Sequence, residues 1–306
     1  MPKEHQTQAK ALPIIRTKLI SVIVPTFNGL ALVQKHLDSW LANLTTGDEI
    51  IFADDHSSDQ TVSWLVGHFH LTRALVTATY ETYINHKFQV KPNKEILVKL
   101  MVNSENIRFA KNCNLAVELA QNELVFLLNN DVSLDENCLT YLEADFQKVN
   151  VFGVGCLEYE GATKTGIKSG KNVLWFEKGL FTHSRADNFE SGDTAWVSGG
   201  SGLFDRHKWQ ILGGFDLKYY PAYWEDVDLS FRARKHGWRV LFNSLAIAYH
   251  QHESTNAKHF SPEKLGTISW HHSDYFTWKL AHFWQRMAFI IWRPYWWYLR
   301  LKPKQT

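Results

Sequence analysis

The chain has 306 residues, of which 45% are hydrophobic and 21% are charged. This composition is typical of a globular protein with an ample core, and it excludes a largely disordered or fibrous chain. The formal net charge is only +2, so no global charge predicts a nucleic-acid partner.

Cysteine usage and the N-terminal sequence indicate a cytoplasmic protein. Cys113, Cys138 and Cys156 form no Cys-x-x-Cys pair, so a reducing compartment is the simpler interpretation. Residues 1–18 begin polar and lack the apolar core and cleavage site of a signal peptide. No stretch of about 18 uncharged apolar residues occurs, so we expect no membrane-spanning helix.

The first part of the chain predicts alternating strands and helices. Residues 19–24 are apolar and rich in β-branched side chains, which predicts a strand buried on both faces. Apolar residues spaced by three or four predict a helix over 30–44, and 49–53 predict a second strand. A short helix should follow Ser58 or Asp59. This order predicts a parallel, doubly wound sheet that binds ligands beyond the carboxyl ends of its strands.

The later elements are less regular. Residues 71–102 predict one or two strands, 110–121 a helix, and 124–128 another buried strand. From about 151 to 205 the chain is rich in Gly, Ser, Thr and Lys, which is typical of long loops over a binding face. Residues 222–237 have an acidic start and a basic end, which favours a helix.

Acidic and amide side chains stand where the predicted elements begin or end. Asp54 and Asp55 follow the second strand, Asn-Asn-Asp at 129–131 follows the strand over 124–128, and Glu225 and Asp226 begin a helix. An aspartate at a strand end is most often a turn former or a helix cap. Three such clusters on one sheet edge favour a ligand site instead, because Mg²⁺ and Mn²⁺ prefer carboxylate oxygens.

Five sequence blocks stand in order along the chain. They are Ser-Val-Ile-Val-Pro-Thr-Phe-Asn at 21–28, Asp-Asp-His-Ser-Ser-Asp at 54–59, Asn-Ile-Arg-Phe-Ala-Lys-Asn-Cys-Asn at 106–114, Phe-Leu-Leu-Asn-Asn-Asp at 126–131, and Gly-Gly-Phe-Asp at 213–216 leading to Trp-Glu-Asp-Val-Asp-Leu at 224–229. In this order they resemble the family-2 glycosyltransferases, inverting enzymes with the nucleotide-binding GT-A fold. The resemblance implies a GT-A-type, mostly parallel α/β domain over 18–256, after an N-terminal extension (1–17) and before a helical, aromatic-rich tail (257–306).

The resemblance implies a role for each matching residue. Asp226 would take the proton from the acceptor hydroxyl as that hydroxyl attacks the anomeric carbon. Asp131 would ligate a Mg²⁺ or Mn²⁺ ion bridging the two phosphates, and His250 would be a second protein ligand. Asp55 would hydrogen-bond a pyrimidine edge. The residues expected at the nucleotide are Pro25, Thr26, Asn28, Asp55, Arg108 and Asn130. Those expected to support the acceptor side are Glu225, Gly199 and Gly200.

Two positions depart from the family pattern. Asn129 replaces the first carboxylate of the Asp-x-Asp motif, although an amide oxygen can still ligate a cation or bond the ribose. Variation inside this motif is familiar among rhamnosyl- and galactofuranosyl-type bacterial members. Arg108 stands where many relatives carry glycine. It either pairs with phosphate oxygens, or forms a salt bridge with Glu105 or points to solvent.

The resemblance implies transfer of a sugar from a dTDP- or UDP-sugar to a saccharide or lipid-linked saccharide, in cell-surface polysaccharide synthesis. A non-catalytic nucleotide-sugar-binding subunit is an alternative, because Asn129 removes one carboxylate. A sugar nucleotidyltransferase is a weaker one, since Thr-Phe-Asn-Gly at 26–29 is a poor glycine-rich basic loop. We expect no nucleic-acid partner, and a homo-oligomer is an open alternative.

The C-terminal segment is rich in aromatic and basic residues. Trp and Tyr interleaved with Lys and Arg over residues 270–300 are typical of a bilayer interface. The segment therefore predicts peripheral attachment to the cytoplasmic face of the inner membrane. The alternatives are a helix packed on the catalytic domain and a dimer contact.

Overall fold

The computed structural model describes residues 16–251 and 261–301. Residues 1–15, 252–260 and 302–306 lie outside the described chain. Most of the predicted N-terminal extension and the predicted boundary at residue 256 fall among them.

The described chain alternates strands with helices. The strands are β1 (Ile20–Thr26), β2 (Glu49–Asp54), β3 (Thr72–Val76), β4 (Tyr80–Lys91), β5 (Lys94–Asn103), β6 (Leu124–Leu128), β7 (Val132–Leu134), β8 (Val151–Glu160), β9 (Lys168–Ser169), β10 (Asn172–Glu177), β11 (Leu180–Arg185), β12 (Gly192–Asp193), β13 (Ser201–Asp205) and β14 (Arg239–His250). The helices are α1 (Leu30–Asn43), α2 (Thr61–His68), α3 (Arg108–Leu119), α4 (Cys138–Ala144), α5 (Arg206–Leu212), α6 (Glu225–Lys235), α7 (Pro262–Leu280) and α8 (Phe283–Leu301), with short 3₁₀ turns at Asp145–Gln147 and Leu217–Tyr219.

One large sheet organises the fold. Its main path runs β12-β14-β8-β13-β6-β1-β2-β5-β4-β3. The centre, β6-β1-β2-β5, is parallel, and β14 also runs parallel to β8. β13 is antiparallel to both of its neighbours, and β3 and β4 extend the other side as antiparallel strands. The predicted α/β class and its parallel centre are confirmed, while the flanks are antiparallel.

Side chains of the central strands alternate between two cores. From β1, Ile20, Val22 and Val24 pack on one side with apolar residues of α1, α2 and α4. Ile23 points to the other side, where α3, α5 and α6 supply the core. This period of two on a strand covered on both faces explains the continuous apolar run in the sequence.

The irregular stretches contain more strands than the sequence predicted. Residues 71–102 form three strands, not one or two. The prediction of long loops over 151–205 was wrong, since β8 is buried along nearly its whole length between β13 and β14. Gly153 obscured this strand, because glycine lowers strand propensity. It is needed there because an added Cβ would lie 2.9 Å from the Phe204 ring.

The two C-terminal helices differ in their surroundings. Helix α7 completes a third apolar cluster in which its Phe276 and Leu280 pack with Trp224 and Val227 around α6. By contrast, α8 exposes many large apolar side chains. Within the described residues, no helix has the length and apolar character needed to cross a membrane.

Candidate active site

The first loop of the site joins the ends of β1 and β6. Thr26 closes β1, and its hydroxyl accepts a 3.2 Å hydrogen bond from Nδ2 of Asn130, two residues beyond β6. An added Cβ on Gly29 would collide with Nδ2 of Asn130 and with the Thr26 hydroxyl. The turn can therefore approach the Asn-Asn-Asp segment only because it contains a glycine. Pro25 is half-buried beside Thr26.

Asn28 ties this first loop to the loop after β2. Its Oδ1 accepts hydrogen bonds from the backbone N–H groups of Ser58 (2.8 Å) and Asp59 (3.2 Å). Its own backbone N–H donates to the Ser57 hydroxyl at 2.8 Å. Asn28 has φ 48°, a left-handed conformation that asparagine tolerates better than most residues. The two loops thus form one surface at the carboxyl edge of the sheet.

Asp55 anchors the entry to α3. Its carboxylate accepts 2.8 Å hydrogen bonds from the backbone N–H groups of Ile107 and Arg108, and a 3.1 Å bond from Nδ2 of Asn103. Burial raises the pKa of Asp55 above its ordinary value, and these hydrogen bonds oppose that rise. Each carboxylate oxygen has more than one acceptor site, so capacity for a further donor remains.

Arg108 has φ 67°, which explains why glycine is common at this position in the family that the chain resembles. Its predicted alternative partner was Glu105. In the described chain these two residues form no ion pair, so the proposed salt bridge was wrong. The Arg108 side chain is half-buried.

Asp131 and His250 meet on the other side of the Asn-Asn-Asp segment. Nε2 of His250 lies 3.2 Å from Oδ1 of Asp131, and both side chains are largely buried. Their backbones are brought together because β14 pairs with β7, with His250 opposite Val132. Sequence spacing could not show this closeness, since more than a hundred residues separate the two side chains.

Glu158 of β8 completes this group and was not predicted. Its Oε2 lies 3.7 Å from Nδ1 of His250, its Oε1 accepts a short hydrogen bond from the Ser201 hydroxyl, and Ser169 donates to it at 3.3 Å. Although burial alone would raise the pKa of Glu158, the bonds from His250 and Ser201 hold it below its ordinary value. An acidic residue inside the apolar run of β8 was the available sequence signal.

The two carboxylates control the charge of the histidine. Burial alone would lower the pKa of His250, but Asp131 and Glu158 outweigh it and raise that pKa to about 10. The two carboxylates therefore favour the protonated imidazole, and a metal cation bound by His250 would have to displace that proton.

The group fits a hard divalent cation that also takes ligands from its substrate. Asp131 and His250 bring a carboxylate oxygen and an imidazole nitrogen within 3.2 Å of each other, and these two residues would hold the cation. Glu158 faces the other ring nitrogen, where a carboxylate commonly orients a metal-binding histidine. Among the described residues, no group of three His, Cys, Asp or Glu side chains has the arrangement of an all-protein metal site.

Asp226 lies at the start of α6, near enough to Glu158 for the charge of Glu158 to affect it. Its Oδ2 accepts a 3.4 Å hydrogen bond from the backbone N–H of Gly199, and its Oδ1 accepts a 2.8 Å bond from Val227. Burial raises the pKa of Asp226 to about 6, with a contribution from the Glu158 charge. A carboxylate in this environment is ionised at neutral pH yet remains basic enough to accept a proton.

Glu225 precedes Asp226 and has a different environment. It is buried, and burial with the neighbouring Asp226 charge raises its pKa to about 8. Its Oε2 has no hydrogen-bond partner in the described chain. Tyr223 and Trp224, just before it, have φ values of 76° and 77°. Two consecutive left-handed non-glycine residues are a costly backbone geometry of the kind found at functional sites.

Gly199 and Gly200 connect the two halves of the site. The Asn129 N–H donates to the Gly200 carbonyl at 2.9 Å, and an added Cβ on Gly200 would lie 2.5 Å from Nδ2 of Asn129. Gly199 packs against the rings of Phe109 and Phe215, and each ring would lie 3.3 Å from a Cβ added at Gly199. This turn therefore contacts the Asn-Asn-Asp segment on one side and Asp226 on the other.

Comparison with solved structures identifies the class of fold. GalNAc-T7 with UDP, GalNAc and Mn²⁺ has a TM-score of 0.58 at 14% identity, over 85% of this chain and 49% of its own. The mannosyltransferase PcManGT of Pyrobaculum calidifontis, with GDP-Man and Mn²⁺, has a TM-score of 0.53 at 16% identity, over 93% and 76%. TarS of S. aureus with UDP has a TM-score of 0.51 at 16% identity, over 85% and 69%. The fold is that of the GT-A glycosyltransferases.

The chain belongs to glycosyl transferase family 2, whose family model matches residues 21–208. It is also 32% identical over 93 residues to an N-acetylglucosaminyl-diphospho-decaprenol L-rhamnosyltransferase of Mycobacterium tuberculosis. That match covers 29% of this chain and 30% of the mycobacterial enzyme, less than a third of the relative's length.

Proposed function

We propose that this protein transfers a sugar, with inversion at the anomeric carbon, from a nucleoside diphosphate donor to a saccharide or lipid-linked saccharide during cell-surface polysaccharide synthesis. The observation that carries the proposal is a carboxylate of raised pKa, Asp226, which senses the charge of Glu158, while Glu158 lies 3.7 Å from His250, the partner of Asp131. An acceptor-activating base beside a cation site is what a single displacement at a diphosphate-linked sugar requires.

The residues divide the chemistry between them. The Asp226 carboxylate accepts the proton of the acceptor hydroxyl while the acceptor oxygen bonds to the anomeric carbon and the bond to the phosphate oxygen breaks. Its raised pKa of about 6 makes it a stronger base than an exposed aspartate. The Gly199 N–H, which donates to Asp226, holds the carboxylate in place. Glu225 and the turn at Gly199 and Gly200 shape the acceptor side.

The donor would lie across the carboxyl edge of the sheet. Pro25, Thr26, Asn28, Asp55, Arg108 and Asn130 form the nucleotide side, with Asp55 facing the base and Arg108 the phosphates. A Mg²⁺ or Mn²⁺ ion held by Asp131 and His250 would neutralise charge on the departing diphosphate. Asn129 then supplies an amide in place of one carboxylate. The donor is a dTDP- or UDP-sugar.

The comparisons support the substrate classes in general terms. The structurally similar proteins were crystallised with UDP or GDP-Man, two of them with Mn²⁺. The mycobacterial relative is named for transfer to a diphospho-decaprenol-linked sugar. We extend a lipid-linked acceptor to this chain, and with it a position at the cytoplasmic face of the inner membrane.

The test is a donor panel followed by a transfer assay. Thermal unfolding is measured with UDP-, dTDP- and GDP-sugars, with and without Mn²⁺, because a ligand that binds the native state raises its apparent stability. The best donor is then assayed for nucleoside diphosphate release with saccharide and lipid-linked acceptors. Mn²⁺-dependent release that Asp226→Asn abolishes is the expected result. Donor binding without release under any condition would favour the non-catalytic subunit.

A further inference from the structure

Helix α8 exposes an apolar face that no other part of the described chain covers. At 3.6 residues per turn one side of the helix carries a set of exposed apolar residues: Phe283, Trp284, Met287, Ile290, Ile291, Pro294, Trp297 and Tyr298. Trp292, Tyr295 and Leu299 are also exposed, by 40%, 36% and 38%, but lie beyond the edge of this side. The exposed fractions of Trp284, Ile291 and Trp297 are 79%, 71% and 65%. No charged residue interrupts this face, which we call the α8 apolar face.

The opposite side of α8 is fixed to the protein. Nε1 of Trp296 donates a 2.6 Å hydrogen bond to the Lys178 carbonyl in the turn between β10 and β11. An added Cβ on Gly179 in that turn would lie 2.5 Å from the Ala288 carbonyl oxygen, so the backbones are in close contact. Phe289 is buried. The hairpin therefore sets the orientation of the helix and leaves the apolar face outward.

The charge along α8 is entirely basic. Its sequence contains no Asp or Glu. Arg286 and Arg293, seven residues apart, lie on the same edge beside the apolar face. The Arg293 side chain is 60% exposed and lies 3.8 Å from Asp274 of α7, a weak pairing that leaves it accessible to another anion. An apolar face rich in Trp and Tyr with an arginine edge is complementary to lipid tails and anionic headgroups.

We propose that the α8 apolar face binds the surface of an anionic lipid bilayer, with the helix in the plane of the membrane. The aromatic rings and isoleucines enter the headgroup region and the upper acyl chains. Arg293 contacts lipid phosphates, whereas the Arg286 guanidinium donates to the Lys279 carbonyl and lies over the Trp278 ring. Helix α8 lies on the bilayer and does not cross it, in keeping with its mixed apolar and basic composition.

This surface is connected to the catalytic base through α7. Nδ1 of His272 lies 3.1 Å and 3.0 Å from the carbonyl oxygens of Ala222 and Tyr223. Nε1 of Trp224 donates to the Ser269 hydroxyl at 3.1 Å. The loop that ends at Glu225 is therefore bonded to the helix that precedes α8. If the proposed function holds, a bilayer-bound α8 keeps the acceptor side of the site near lipid-linked saccharides.

Vesicle flotation tests the surface without any measurement of sugar transfer, so a failure to float would leave the proposed transferase activity standing. The full chain is mixed with vesicles of phosphatidylcholine alone or with phosphatidylglycerol, at low and high salt. We expect flotation with the anionic vesicles that weakens as salt rises. The double variant Trp284→Glu, Ile291→Glu should reduce bound protein about tenfold or more.

A matched control introduces the same two glutamates at exposed apolar positions outside α8. Val149 and Leu245 are 77% and 60% exposed and lie outside α8, so Val149→Glu, Leu245→Glu should float like the wild type. Circular dichroism and melting curves establish that both double variants are folded. Wild-type protein that fails to float with anionic vesicles would overturn the proposal. A second outcome would also overturn it: the wild-type protein does not float, light scattering shows that it is a dimer, and only the α8 double variant is a monomer. The α8 apolar face would then bind a second copy of the chain.

Discussion

Replacing Asp226 with asparagine should stop sugar transfer and stabilise the fold at the same time. Burial raises the pKa of Asp226 from 3.8 to about 6, so the folded protein binds this proton more tightly than the unfolded chain does. The free energy of unfolding therefore falls as pH rises from about 4 to 6. At pH 7.5 the whole destabilisation from burying the ionised Asp226 carboxylate is present. About two pH units at roughly 1.4 kcal/mol each give an upper value of about 3 kcal/mol.

Asparagine removes that cost and keeps an oxygen that can accept the hydrogen bond from Val227. Because Asp226 shares its protons with Glu225 and is partly exposed, we expect a gain of about 1–3 kcal/mol at pH 7.5. The gain should shrink toward pH 4. Loss of the base should lower turnover by roughly 10²–10⁴. Urea unfolding at the two pH values and initial rates measure both effects.

Asp216 offers a control in which the same substitution should change the stability of the fold in the opposite direction. Burial alone would raise its pKa, but hydrogen bonds from Lys279, the Lys218 N–H and the Tyr275 hydroxyl outweigh burial and hold the pKa at about 2. This stabilisation is present above pH 4 and is lost as pH falls toward 2, so Asp216→Asn should destabilise the fold at pH 7.5 by about 1–2 kcal/mol. An Asp226→Asn protein less stable than wild type at pH 7.5, or with turnover within threefold of it, would refute the reasoning.

Three further changes test the site. Asp131→Ala should remove activity together with the Mn²⁺ dependence of nucleoside diphosphate binding, measured by calorimetry; undiminished Mn²⁺ dependence would place the cation elsewhere. Glu158→Gln should weaken Mn²⁺ affinity about 10–100-fold, because His250 loses the carboxylate that orients it, and unchanged affinity would contradict that role. Gly200→Ala should cost about 1–3 kcal/mol in urea unfolding and raise the donor KM, since its methyl group would displace Asn129; an unchanged KM would separate this turn from the donor.

The central fold was predictable because its signals are local. The apolar runs of β1, β2 and β6 are typical of strands buried on both faces, and the spaced apolar residues of α1 match a period of 3.6. The antiparallel half of the sheet was not predictable, since the order of its strands depends on pairings between segments distant in sequence. β13, inserted between β6 and β8, joins segments that no periodicity connects.

The site residues also divide into those that local sequence signals predicted and those that depend on distant strand pairings. Asp131 and Asp226 could be proposed because each stands in a recognisable block at the end or start of an element. Glu158 was not proposed, because it belongs to a stretch predicted as loop, although an acidic residue within an apolar run was a signal that could have singled it out. Only the parallel pairing of β8 with β14 brings it to His250. Cross-strand neighbours of this kind carry no signal in a single sequence.

The C-terminal segment shows why composition alone could not decide between burial and membrane contact. Helices α7 and α8 are both rich in aromatics, yet Phe276 is fully buried and Trp284 is 79% exposed. The difference arises because α7 packs against α6 as well as against the β10–β11 hairpin, whereas the apolar face of α8 has no covering element among the described residues. Lys279 of α7 also bonds Asp216 and Asp228 at 2.8 Å and 2.6 Å, so this helix belongs to the core around α6. A deletion of residues 270–306 would therefore damage the fold along with any lipid contact. Substitutions confined to the exposed face of α8 separate the two effects, because they leave every one of these buried contacts in place.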